Sequence, residues 1–456
     1  MNRIFAFLMG LVLLSSLSSC LVLGDVNVVD VNSIGDNHQV VSSGPMIGHV
    51  SMRSANIWVQ MSEEAPVYLK YWVADSSVES SVYFSEVIST SKSDAYTAIF
   101  KLTDLEPGTE YRAVVVSNGR TLSEEIIVQT QVLWDYRTEP PEFKVLAGSC
   151  TFINDSIYDR PGNPYGGEYN IFEVMADEQA DLMLWLGDNV YLREVDFQSY
   201  SGYLYRYTHT RGTPEMQRLL MSCPNYAIWD DHDFGPNDAD RSWIHGDWAK
   251  DAFETFWVNP SYGAPSGSDN VGTAFRYNDI DFFLLDNRTD RVHHYNRTQE
   301  LQVLGEEQID WLIAALNKSR APFKIVAIGG QFLSDNAVHE NMARYPERQI
   351  IIDRIEEERI HGVVFLSGDR HCTELSRLEL DKGVVIHDLT TSPLTSSSYD
   401  NSDEENTLRV EGTVVSERNY AELNFSGPRK NRVMIMVIKN AKGEEVWSRE
   451  LKEKDL

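Results

Sequence analysis

The sequence predicts a layered α/β protein, a β-sandwich core with flanking helices preceded by a small antiparallel β-sandwich. Three patterns point that way. Seven short runs of Val, Ile, Leu and Phe stop abruptly at polar residues: 143–150 (FKVLAGSC), 180–191 (ADLMLWLGDNVY), 225–233 (NYAIWDDHD), 281–288 (DFFLLDNR), 323–331 (FKIVAIGGQ), 362–371 (GVVFLSGDRH) and 383–392 (GVVIHDLTTS). Continuous apolar runs of this length are what strands covered on both faces require. Upstream of them lie short β-branched and aromatic segments separated by turn residues, and between them lie stretches with helical periodicity.

In chain order, residues 1–19 have one positive residue, Arg3, then an apolar run and a small-residue stretch ending directly before Cys20. The run is short for a membrane span and reads as a lipoprotein signal, with Cys20 as the acylated first residue of the mature chain. Residues 20–40, rich in Asp, Asn, Ser and Val without helical period, read as a tether. Residues 41–135 read as a fibronectin- or immunoglobulin-like sandwich with strands in HVSMRSANIWVQM, PVYLKYWV, SVYFSEVI, YTAIFKLTDLEPGTEYRAVVVS and EEIIVQTQV. Tyr111, after the LEPGTE turn, is the expected tyrosine corner, and Trp58 and Trp72 are expected in the core. Pro140-Pro141 marks a boundary, since two prolines resist both helix and central strand.

The large domain then runs over 143–400. Residues 196–220 are expected to be helical. Ile309, Leu312, Ile313 and Leu316 share one helix face, and Pro346 opens a further helix through Ile351, Ile352 and Ile355. Loops at 154–168 and 259–272 are expected to rim a site. Residues 405–456 (TLRVEGTVV, YAELNFS, RVMIMVIKN, EVWSREL) are expected to add strands that complete the core.

A net charge of −29 over 456 residues argues against nucleic-acid binding through a basic face. Any anionic substrate must instead be met by bound cations or a few placed arginines. Four cysteines, one of them Cys20, leave an odd number and no disulfide framework.

Hydrolysis of a phosphate ester by two metals needs bridging carboxylates, flanking ligands and a cation for the remaining oxygens. Strand ends supply each: Asp188, Asn189 and Tyr191 after one run, Asp230-Asp231-His232-Asp233 with Asn237 and Asp238 after another, and Asp369 and His371 after a third. The order GSC, GDNVY, WDDHDFGPND, LDNR, YPER, SGDRH, TTSP, from Gly148 to Pro393 and behind a small sandwich, resembles the alkaline phosphatase D (PhoD-like) family of metallophosphatases. The resemblance implies a metallophosphoesterase-like fold and a ferric iron held by Cys150, Asp188, Tyr191 and His371. Calcium would share Asp188 and take Asn237 and Asp369, with Asp238 the alternative to Asn237. It also implies that Arg288, with Asn237, binds the substrate phosphate.

A trivalent ion is the kind of charge that holds a thiolate and a phenolate deprotonated, and oxygen ligands suit calcium. In-line attack by a metal-bound hydroxide or oxo group then needs no protein nucleophile. His232 either protonates the leaving alkoxide or holds Asp231 or Asp188 in place. The expected activity is that of a phosphomonoesterase or phosphodiesterase, lipid-anchored in the bacterial cell envelope, in the periplasm or at the outer membrane. A phospholipase- or teichoic-acid-type diesterase acting on a lipid or polymer is the alternative, and a non-catalytic surface module the third reading. Other residues read as structural. His293 and His294 sit in a polar segment, Arg291 either assists Arg288 or lies on the surface, and His387 belongs to the core or supports the site. Cys223 and Cys372 read as buried thiols, with a disulfide between them conceivable.

Overall fold

The computed structural model describes residues 40–75, 81–337 and 341–456; the signal segment, Cys20 and the tether up to residue 39 lie outside them. No helix among the described residues is long and apolar enough to cross a membrane.

Among the described residues, nine strands build the N-terminal sandwich: β1 (Val41–Val50), β2 (Ala55–Met61), β3 (Pro66–Val73), β4 (Val82–Phe84), β5 (Ile88–Ser89), β6 (Thr97–Leu102), β7 (Glu110–Ser117), β8 (Arg120–Thr121) and β9 (Ile126–Gln129). One sheet runs β1-β2-β6 and the other β4-β3-β7-β8, with β5 on β3 and β9 on β7. The stretch read as one strand, HVSMRSANIWVQM, is two, because Ser51 closes a turn by bonding Ser54 through both backbone and hydroxyl. Tyr111 is the corner expected: buried, with its hydroxyl accepting the Glu106 backbone N–H at 2.9 Å. One of the two tryptophans departs from expectation. Trp72 is only half-buried. Trp58 is fully buried among residues of the large domain, not between the two small sheets; its Nε1–H donates to Thr255 O at 2.9 Å and its ring lies against Arg211. The sandwich is thereby seated on the large domain, with His49 N–H on Val258 O and the Asn225 amide on Ile47 O.

Two six-stranded sheets form the large domain. The first contains β10 (Phe143–Gly148), β11 (Leu182–Leu186), β12 (Asn225–Ile228), β19 (Asn419–Ser426), β20 (Val433–Asn440) and β21 (Glu445–Lys452), in the order β12-β11-β10-β19-β20-β21. The second contains β13 (Thr273–Tyr277), β14 (Ile280–Leu284), β15 (Lys324–Ile328), β16 (Val363–Ser367), β17 (Glu374–Glu379) and β18 (Val385–Thr390), in the order β13-β14-β15-β16-β18-β17. All seven apolar runs are strands, and they pair in parallel within each sheet: β10-β11-β12 in one, β14-β15-β16-β18 in the other.

Period-two alternation explains why those runs are apolar throughout. Val145, Ala147, Leu182 and Leu184 face the core between the sheets together with Phe282, Leu284, Ile325 and Leu366. Leu146, Met183 and Trp185 face α1 (Ile171–Asp177), α2 (Tyr200–Arg211), α3 (Pro214–Ser222) and, beyond the short α4 (Asp231–Phe234), α5 (Gly246–Phe256). Phe283, Val326, Ile328 and Phe365 face α6 (Gly305–Lys318) and α7 (Pro346–Glu357) on the far side. The result is helices, sheet, sheet, helices. Residues 405–456 extend the first sheet by three strands, but TLRVEGTVV is not one of them. That stretch makes only isolated bridges at Arg409 and Val415 and is held by side chains, Thr407 to Asp335 and Arg409 to Glu374. The chain end packs at Leu456 against His361, before β16 starts, so it lies at the opposite end of the sheets from the residues that follow β16.

Candidate metal centre

Most of the candidate site residues sit just past the carboxyl end of a parallel strand, where an open α/β sheet leaves its crevice. Cys150 follows β10, Asp188 follows β11, Asp230 and Asp231 follow β12, Arg288 follows β14 and Asp369 and His371 follow β16. Cys150, Asp188, Asp369 and His371 all have positive φ, at 61°, 51°, 69° and 53°. Non-glycine residues hold this conformation at a cost, so strain is concentrated on the groups that must point inward. The glycines before the aspartates allow close approach. A Cβ on Gly187, itself at φ +90°, would lie 2.8 Å from Asp230 Cβ, and one on Gly368 would lie 2.7 Å from Leu186 O and Ser149.

Cys150, Asp188 and His371 are buried and present ligand atoms within 4.8 Å of one another. Tyr191 completes the group: its hydroxyl is 3.1 Å from Asp188 Oδ2 and 3.1 Å from His371 Nε2. The Cys150 thiol lies 3.5 Å from Asp188 Oδ2 and accepts from the Ser392 hydroxyl at 3.1 Å. His371 Nδ1–H is matched to the Ser397 carbonyl at 2.7 Å, which assigns the lone pair to Nε2, the nitrogen that faces Tyr191. This is the arrangement of a metal-ligating histidine, whose other nitrogen is fixed by a backbone acceptor.

Asp188 is shared with a second group, Asp188, Asp231 and His232, and a third adjoins it, Asp230, Asp231 and Asp369. His232 is half-buried. Its backbone N–H donates to Asp188 Oδ1 at 3.3 Å and its ring lies 4.3 Å from that of Tyr191. Asp231 Oδ2 accepts the backbone N–H of Asp238, while its Oδ1 is buried and accepts no hydrogen bond. Asp233 joins the two ligand loops. Its carboxylate accepts from the backbone N–H groups of Asn189, Val190 and Asp230, the last as part of a capping box that starts α4.

Arg288 is 1 % exposed and fastened to Asp230: Nε donates to Oδ1 at 2.6 Å, Nη2 contacts the same oxygen, and Nη1 donates to Ala239 O at 3.1 Å. Asn237 is exposed on the turn after α4. Asp230 and Asp231, displayed by the WDDHD run but given no place in the ligand set that the resemblance implies, join the buried groups. Arg291 is buried beside Arg288, with its backbone N–H on Arg288 O, not on the surface. His293 and His294 are half-buried and stacked on each other at 4.4 Å, apart from the metal-ligand groups found among the described residues. Cys223 and Cys372 are buried free thiols, and His387 is buried on β18. Of the two expected rim loops, 154–168 reaches the site through Tyr165, whose hydroxyl is 3.2 Å from His371 Nδ1. The other packs behind it, Val271 N–H holding Asp286.

The electrostatics call for cations. Burial, then the neighbouring carboxylates led by Asp231, pushes Asp188 well above the usual carboxylate range. Burial and the Asp188 charge likewise push the Cys150 thiol and the Tyr191 phenol up, and burial raises Asp233 to about 7. Burial raises Asp231 too, but His232, Arg288 and the Asp238 N–H outweigh it and leave Asp231 at about 2. Burial lowers His371 to about 4, so it is neutral and ready to ligate. A dry pocket of thiol, phenol, imidazole and carboxylates is unfavourable as a set of bare charges and fits multivalent cations.

Residues 149–440 match the PhoD-like phosphatase family model. The chain belongs to the PhoD-like phosphatase family. Residues 38–126 match a separate family, a domain of unknown function (DUF7800). Alkaline phosphatase D of Bacillus subtilis (strain 168) is 23% identical over 263 residues, which span 47% of this chain and 45% of that protein, so the match covers about half the length of this curated relative. The solved structure described as that of PhoD superposes with a TM-score of 0.73 at 17% identity, over 91% of this chain and 92% of that one; it establishes the shared fold. Within the PhoD-like match, the buried cluster takes in Cys150, Asp188, Tyr191, Asp369 and His371, residues that the sequence resemblance implies.

Proposed function

We propose that this protein hydrolyses phosphate esters with bound metal ions. The observation that carries the reading is the sharing of Asp188 between two ligand groups, Cys150, Tyr191 and His371 on one side and Asp231 and His232 on the other. The first group, with its soft thiol and its phenol, suits ferric iron. The carboxylates Asp188, Asp231, Asp230 and Asp369, with Asn237 at the open side, suit calcium. Bound there, the ions would supply positive charge for the phosphate oxygens and activate a water.

The protein's own residues do the rest. Asp230 holds the Arg288 guanidinium at a fixed angle, so that it meets a phosphate with little further ordering. His232, half-exposed and anchored through its backbone to Asp188, is the group set to protonate the leaving oxygen. The substrate is a small phosphomonoester or diester. The lipoprotein-like N-terminus with Cys20 supports anchoring by lipid in the cell envelope.

Metal content by mass spectrometry, alongside turnover of a chromogenic monoester and its diester analogue, tests this reading. Iron and calcium in the purified protein, with turnover that falls together with iron on Cys150→Ser, are expected. An iron-free preparation with full activity, indifferent to Cys150→Ser, would overturn the ligand assignment.

A further inference from the structure

A buried ladder of arginines and aspartates lies just behind Tyr191. Arg193, 7 % exposed, uses every face of its guanidinium. Nη1 donates to the Tyr191 carbonyl, Nη2 to the Ile153 carbonyl at 2.9 Å, and Nε to Asp159 Oδ1 at 2.8 Å. The group also lies 4.0 Å over the ring of Phe152, and that ring packs on Tyr191 at 5.0 Å and on Tyr165 at 4.8 Å. The next rung repeats the pattern. Asp196 accepts the Arg193 backbone N–H at 2.7 Å and Arg206 Nε at 2.8 Å, and Arg206 also reaches Asp155 at 3.4 Å.

Burying two arginines is an expensive way to hold a loop, since well-packed apolar side chains of the same volume are often as stable or more so. The guanidinium offers a fixed fork that joins several acceptors at set angles. Here the acceptors come from two chain segments. One, 152–159, leaves Cys150; the other, 191–196, carries Tyr191. We infer that Arg193 is a positioning residue that sets the Tyr191 phenol against the Cys150 side of the centre, acting through the Tyr191 carbonyl and the Phe152 ring. The inference rests on the reading of Tyr191 as an iron ligand.

Arg193→Lys keeps the charge but cannot serve Tyr191, Ile153 and Asp159 together. Asp159→Asn is the milder variant, because the partly exposed Asp159 side chain tolerates the change and only the negative charge facing Arg193 Nε and Nη2 is lost. Arg211→Met is the control for burial alone. Arg211 is as buried, lies 3.9 Å over Trp257 and donates to Phe256 O, on the side of α2 that meets the small sandwich. Three quantities are measured on the full-length chain: the phenolate-to-iron absorption band, the rate of iron release to a chelator, and amide hydrogen exchange of the metal-free protein.

Arg193→Lys is expected to shift the band and to weaken iron retention about ten- to a hundredfold. Asp159→Asn should do the same to a smaller degree, and both should speed exchange in 152–159 and 191–196. Arg211→Met should lower the melting temperature and change neither band nor retention. A wild-type band and wild-type iron release in both ladder variants would overturn the inference. If the wild-type protein bound no iron, the metal reading itself would fail. The exchange data alone would then decide the strut, and unchanged exchange in those two segments would overturn it.

Discussion

Asp233 offers a quantitative probe of the centre, because it touches both ligand loops without being a ligand itself. In the metal-free protein, burial holds its carboxyl at about 7, roughly three units above an ordinary aspartate. The folded state then keeps a proton that the unfolded state has lost. The stabilising contribution is fully present below pH ~4 and is lost as pH rises through about 7, at about 1.4 kcal/mol per unit, or about 4 kcal/mol across the window. For a chain of this size that is roughly 4 °C in melting temperature. The whole pH profile cannot be the readout, since His49, His371 and His387, each lowered to about 4 by burial, push the opposite way below pH ~6.5. The difference between wild type and Asp233→Asn isolates the one group, because those histidines are common to both. In chelator-stripped protein, the melting temperature of wild type minus that of Asp233→Asn should fall by roughly 4 °C between pH 4.5 and 7.5. In metal-loaded protein, cations beside Asp188 and Asp231 favour the Asp233 carboxylate, and most of that slope should vanish. Equal slopes in stripped and loaded protein would refute the placement of cations next to this residue.

Four further outcomes are expected. Tyr191→Phe should bleach or shift the visible band of the purified protein and lower iron content and turnover together, whereas a calcium chelator should silence turnover reversibly and leave the colour, both followed by absorption spectroscopy. Arg288→Ala should reduce kcat about 10²- to 10³-fold, as expected for loss of a preorganised donor to phosphate, and steady-state kinetics on a monoester will show it. Cys20→Ala should release the protein from membranes with its activity intact, since the acyl site lies outside the described domains; retention in the membrane fraction would count against the lipoprotein reading.

How much of this was legible in the sequence follows from how local each determinant is. The strands were readable because both faces of β10, β11, β14, β15 and β16 are covered, which forces uninterrupted apolar runs, and most candidate ligands were readable because they sit within a few residues of where those runs end. Features set by a partner far along the chain were not. Trp58 alternates like a sandwich core residue, and only the arrival of Thr255 and Arg211 makes it an interface residue. β17 was missed because it is an edge strand whose second half, Arg377 to Glu379, carries charges into solvent.

The choice among the acids of WDDHD was equally non-local. It depends on a single turn of helix, fixed when Asp233 caps it and grips the Asn189 turn, which sends Asp230 to Arg288 and Asp231 to the cluster around Asp188. The resemblance carries Asn237, exposed on the following turn, and gives no place to Asp230 and Asp231, which stand in the buried groups. Ligand chemistry was therefore encoded at strand ends, while ligand assignment within the cluster was encoded in hydrogen bonds between loops that meet only in the folded chain.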